Sequence, residues 1–184
     1  MKRRLAPACL LLIGIATPQA LAADSVYTAL KLESCSQRPT DPREELPWSL
    51  WDCAGYGGIA VLVGESDLRF TISYGVDGPA DTGGGQTLAP FNSIGETLEW
   101  RLDDAGQPFA TIIRYFVDTG EPGAEGQVLV VTKLGTTSCH AAYVDALANE
   151  DANTIARAAA DLIAPSFRCD IDTPLWVSTT GTAF

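Results

Sequence analysis

The chain carries little of the equipment for metal or acid–base chemistry. His140 is its only histidine among 184 residues, and no Cys-x-x-Cys pair occurs. Tetrahedral zinc needs four nitrogen or sulfur ligands, usually in closely spaced pairs. The sequence therefore points to no metal and no cofactor. It also lacks a Gly-x-Ser-x-Gly nucleophile elbow, because the run Gly64-Glu65-Ser66-Asp67-Leu68 is missing its second glycine. The acidic stretches Asp118 to Glu125 and Asp170-Ile171-Asp172 show no EF-hand spacing and would hold calcium only weakly. There is no internal repeat and no heptad pattern.

Long apolar runs are scarce too. The single one lies at the start, where Lys2, Arg3 and Arg4 precede Leu5 to Thr17 and a small-residue exit at Ala20-Leu21-Ala22. A basic start, a short apolar run and a small-x-small site together read as a secretory signal peptide over residues 1–22. Residues 23–184 then form a single globular domain, long enough to bury a core of its own. No second apolar run follows, so no membrane insertion is expected after the leader is cleaved.

Positive charge is also in short supply. Twelve Lys and Arg stand against 23 Asp and Glu. Without Lys2, Arg3 and Arg4 the balance is 9 against 23, a mature net charge near −14. Such a surface is repelled by nucleic acid and by anionic lipid, and it attracts a cationic protein partner. The same acidity would also serve plain solubility.

Removing Cys9 with the leader leaves Cys35, Cys53, Cys139 and Cys169. An even count in an exported chain implies two disulfides, with three possible pairings. Cys35–Cys53 and Cys139–Cys169 are preferred, because each pair brackets one local unit.

Strand periodicity dominates the rest. In Asp67 to Tyr74, Leu68, Phe70, Ile72 and Tyr74 alternate with polar residues, so they are expected to face a core. Thr97 to Leu102 repeats this pattern, with Leu98, Trp100 and Leu102 inward and Glu99 and Arg101 outward. Asp103-Asp104-Ala105-Gly106 signals a hairpin. Phe109 to Val117 is apolar on both faces, the mark of a central strand covered on both sides. Val128 to Leu134 and Ser138 to Asp145 add two more strands. Asn149 is a plausible helix N-cap. Ala152, Ile155, Ala156, Ala159, Leu162 and Ile163 then form a helical stripe that Pro165 ends. These elements predict an α+β domain: a mainly antiparallel sheet of about seven or eight strands, with one C-terminal helix packed on one face and two disulfides.

Four residues stand out as candidate ligand contacts. Arg69, Arg101 and Arg114 share the non-core phase of their strands, so neighbouring strands would line them up on one sheet face. A row of guanidinium groups suits a carboxylate, phosphate or sugar acid. The competing reading pairs them across strands with Asp67 and Glu99. His140 is the one side chain that titrates near neutrality. Strand alternation sets it on the opposite face from Asp145, which favours a structural role over catalysis, and no residue is assigned as catalytic. The acidic pairs Glu44-Glu45, Asp103-Asp104 and Glu150-Asp151 fall in turns or at the helix start, where carboxylates are expected in any case. Trp48, Trp51, Tyr56 and Trp100 read as core residues, with a carbohydrate or peptide groove as the alternative.

The runs Asp67-Leu68-Arg69-Phe70, Pro90-Phe91-Asn92, Glu99-Trp100-Arg101 and Cys139-His140-Ala141-Ala142-Tyr143-Val144-Asp145-Ala146 resemble a set of uncharacterised exported proteins of alphaproteobacteria. The likeness spans most of the mature chain. It implies export and a single domain, and it carries no activity with it. The functional expectation is a periplasmic or secreted, non-catalytic binding or envelope-associated protein with a protein or envelope partner. The alternative is an envelope hydrolase using acidic residues and His140.

Overall fold

The computed structural model describes residues 23–39, 48–75 and 85–178. The leader therefore lies outside the described residues, as do residues 40–47, with the Glu44-Glu45 pair, 76–84 and 179–184.

The strands are β1 (Asp24–Ala29), β2 (Ser36–Gln37), β3 (Trp48–Ala54), β4 (Ala60–Ser66), β5 (Arg69–Tyr74), β6 (Asn92–Leu102), β7 (Pro108–Asp118), β8 (Glu125–Lys133), β9 (Cys139–Asp145) and β10 (Leu175–Val177). The α-helix α1 spans Ala152–Ile163. The class is α+β, as expected, but the sheet count is not. Ten strands form two sheets: six in the order β1-β6-β7-β8-β9-β10, and four in the order β2-β3-β4-β5. All pairs are antiparallel except β9 with β10. Periodicity shows that a strand has an apolar face. It does not show which strands share that face, so one sheet was expected where two occur.

The layers follow from β7. Ile113, Tyr115 and Val117 face the four-stranded sheet and meet Val61, Val63, Ile72 and Tyr74 there. Ala110 and Ile112 face the other way, onto Ala156, Ala159 and Ala160 of α1. The order is therefore small sheet, large sheet, helix. Alanines on the buried stripe of α1 let the helix approach the sheet closely. Leu162 is not part of that stripe; it is exposed, and Ala160 is fully buried in its place. Asn149 is not the N-cap, a position that Asp151 holds. The Asn149 side chain instead donates to the Asp145 carbonyl at 2.7 Å.

Both preferred disulfides are present, Cys35–Cys53 and Cys139–Cys169. The first ties the segment after β1 to the small sheet, and the second ties β9 to the chain beyond α1. With no membrane-crossing helix among the described residues, this is compatible with an exported protein.

Two strand expectations fail for stated reasons. Leu68 does not enter the core. Asp67 and Leu68 are the two residues of the β4–β5 hairpin turn, with φ of 51° and 58°, and Leu68 is 62% exposed. The second concerns β9. One step on β8, Val131 to Thr132, is matched by two on β9, Ala142 to His140. The extra residue, Ala141, is a β-bulge, which shifts the side-chain phase. His140 therefore shares a face with Tyr143, and in register with Asp145, contrary to simple alternation.

Candidate functional site

The outer face of the small sheet carries a groove of about 480 Å³. Strand register builds it in three cross-strand rows. Trp48, Ser66 and Arg69 form one; Leu50, Gly64 and Thr71 the next; Asp52, Leu62 and Ser73 the third. The middle row is low because Gly64 has no side chain. A Cβ there would sit 2.6 Å from Thr71 Oγ1 and 3.2 Å from Leu50 Cδ2. The floor is apolar, with Leu62 buried and Trp48 40% exposed at one end. An apolar floor with a few polar groups at the rim is the usual makeup of a small-molecule site.

Two arginines stand at the rim. Arg38 donates to Asp52 through Nε and Nη2, at 2.8 and 2.7 Å. Those hydrogen bonds hold the Asp52 carboxyl below the usual carboxylate range. Arg69 donates to the Ala89 carbonyl at 2.8 Å, pairs with Asp67, and lies 4.8 Å from the Phe91 ring centroid. Among the described residues, Nη1 of Arg38 and Nη2 of Arg69 have no hydrogen-bond partner. Each can donate to a ligand without breaking its ion pair.

The four expected ligand residues do not converge. Arg69 belongs to the small sheet, whereas Arg101 and Arg114 belong to the large one, so no single arginine row exists. Arg101 does not point to solvent; it is 3% exposed beneath α1. Its Nε and Nη2 donate to Asp161 at 2.9 and 2.7 Å, Nη2 also reaches the Ala23 carbonyl at 2.5 Å, and Nη1 bonds Ser25. Glu99, also expected outward, is buried and accepts from Arg157 at 2.7 Å. Arg69 does pair with Asp67, and Arg101 lies 3.8 Å from Glu99, but each partner is two residues away along the chain rather than across strands as expected. Arg114 lines a different groove beside α1.

His140 is buried, 2% exposed, on the face of β9 that also carries Tyr143, with Nδ1 3.0 Å from the Tyr143 hydroxyl. Its amide donates to Gln86 Oε1 at 2.8 Å. Burial pushes its imidazole down to about 4, so it is neutral at physiological pH. Asp145 is occupied elsewhere, accepting from the Leu147 and Ala148 amides and from Ser178. Among the described residues, no three His, Cys, Asp or Glu side chains group as metal ligands.

Sequence reading missed Arg38, and it held a groove for Trp48 only as the alternative to the core. The signal was available for Trp48: it alternates with Trp51, so one tryptophan must leave the core. Trp51 stacks on Phe70 inside, and Trp48 faces the groove. Comparison with known proteins adds nothing further, for the chain matches no family profile, no curated protein and no solved structure.

Proposed function

We propose that this is an exported, non-catalytic binding protein whose ligand site is the groove on the outer face of the small sheet. The supporting observation is the combination of an apolar floor with two arginines that each keep one uncommitted terminal nitrogen. The ligand is an amphiphile: an apolar chain or ring lies on Trp48, Leu50 and Leu62, and an accepting head group bonds Arg38 Nη1 or Arg69 Nη2. The volume lies within the range of small-ligand pockets.

Dodecanoate is a suitable probe, followed by Trp fluorescence and by calorimetry. Saturable one-site binding that weakens at least about tenfold in both Trp48→Ala and Thr71→Phe supports the reading. Trp48→Ala removes the wall, and Thr71→Phe fills the middle row. A failure to saturate, or binding indifferent to both substitutions in folded protein, would reject it.

The mature charge near −14 supports a second class of partner, a cationic protein held electrostatically. Pull-down from envelope extracts tests this, and no capture at low ionic strength would count against it. The hydrolase alternative has less support. Its base would be His140, which is buried, hydrogen-bonded to Tyr143 and held neutral.

A further inference from the structure

Six arginines lie among the described residues, and five of them contact a carboxylate: Arg38, Arg69, Arg101, Arg157 and Arg168. Four use the same edge. Nε and Nη2 together face Asp52 in Arg38, Asp161 in Arg101, Glu99 in Arg157 and Asp172 in Arg168. That edge matches the two oxygens of a carboxylate. Arg114 is the exception. Its Nη1 donates to Gln127 Oε1 at 2.8 Å, which fixes the guanidinium, and among the described residues it forms no ion pair with a carboxylate. Its Nε–Nη2 edge has no partner among the described residues. In a chain with nearly twice as many acids as bases, an arginine held in place without a carboxylate is a conspicuous omission.

The surroundings suit a ligand. Arg114 lines a groove of about 360 Å³ between the first turns of α1 and the large sheet. The groove opens at an irregularity in β6. Ile94 pairs with Tyr115 and Leu98 with Ile113, so Gly95 to Thr97 bulge out opposite Arg114. Bulges of this kind commonly re-aim side chains at functional sites. Ile112, Phe116 and Leu129 supply an apolar wall. The acids nearby are already matched: Glu99 by Arg157 and Arg101, and Glu96 by Lys31 at 3.7 Å.

We infer that the open Nε–Nη2 edge of Arg114 binds the carboxylate of a small ligand whose apolar body lies against Ile112, Phe116 and Leu129. This site is separate from the groove on the small sheet and does not depend on it.

The test is an NMR titration of the isotopically labelled mature protein with sodium benzoate. Sodium phosphate is run alongside, with sodium chloride at matched ionic strength as the control. Saturable shifts are expected at the Arg114 Nε–Hε group and at the amides of Gly95, Glu96 and Thr97. Arg114→Gln should weaken benzoate at least about tenfold, the loss of a charge-assisted bidentate contact. It removes no ion pair, so the fold should persist. Gln127→Glu is the second variant; it keeps the guanidinium but places a carboxylate on Nη1, and it should weaken benzoate similarly. Shifts that grow linearly or match those with chloride would overturn the inference. So would saturable binding that survives both variants, or saturation by phosphate but not by benzoate.

Discussion

Replacing Arg101 with methionine should unfold the protein far more readily than replacing its neighbour Arg157 with alanine. Arg101 is 3% exposed and gives four hydrogen bonds to Asp161, Ala23 and Ser25. Methionine keeps much of the buried stem and removes the charge. Asp161 then loses both donors while its side chain is only 23% exposed. Breaking a buried pair from one side costs about 3–5 kcal/mol. Asp161 retains some water, and Glu99 retains Arg157, so the lower figure of about 3 kcal/mol applies. In a mature domain of about 160 residues this lowers Tm by roughly 6–12 °C. Arg157→Ala should cost about 1 kcal/mol, because that side chain is 37% exposed and Glu99 keeps Arg101 and Ser25. The double variant Arg101→Met/Asp161→Leu leaves no orphaned charge and should recover about 2 of the 3 kcal/mol. Urea unfolding followed by fluorescence of the buried Trp100 measures all three. A cost below about 1 kcal/mol for Arg101→Met, or a double variant no better than the single, would refute the reasoning.

The folded pKa of His140, about 4, lies below its unfolded value of 6.5, so between these the unfolded chain holds the extra proton. Stability should be fully present above pH 6.5 and fall by roughly 3 kcal/mol as pH drops toward 4, and His140→Gln should flatten that part of the urea-midpoint profile. An unchanged slope in the variant would contradict it. Leu68→Gly should raise stability by about 1 kcal/mol, because φ is positive at this exposed turn residue; a lower Tm would show that Leu68 has a packing role. Removing Cys35–Cys53 by paired alanine substitution should cost about 3 kcal/mol, and removing Cys139–Cys169 slightly more, since their separations are 18 and 30 residues. Equal thermal melts with and without either bridge would count against that ordering.

The Arg101 cluster shows how legible the sequence was. Glu99 and Arg101 lie two apart on a strand, about 6.8 Å along its axis. Arg157 and Asp161 lie four apart on a helix, about 6.0 Å along its axis. Opposite charges at matching spacings are complementary, and Glu99 meets Arg157 while Arg101 meets Asp161. The pattern was readable in the residues. Its meaning was not, because alternation marks a face as polar without saying whether an element will cover it.

The sequence by itself determined the α+β class, the strand with two apolar faces and the alanine stripe of α1, and its cysteine count implied two disulfides. These depend on local periodicity and on a residue count, so chain neighbours suffice to specify them; which cysteines pair was a preference that the structure decided. Only the tertiary structure decided that ten strands divide into two sheets, which separates Arg69 from Arg101 and Arg114. It also decided that α1 buries Arg101, that a bulge turns His140 toward Tyr143, and that Trp48 and Arg38 frame a groove. Each of these depends on which segments, distant in the chain, come to lie against a given face. The period of a strand carries no information about that choice.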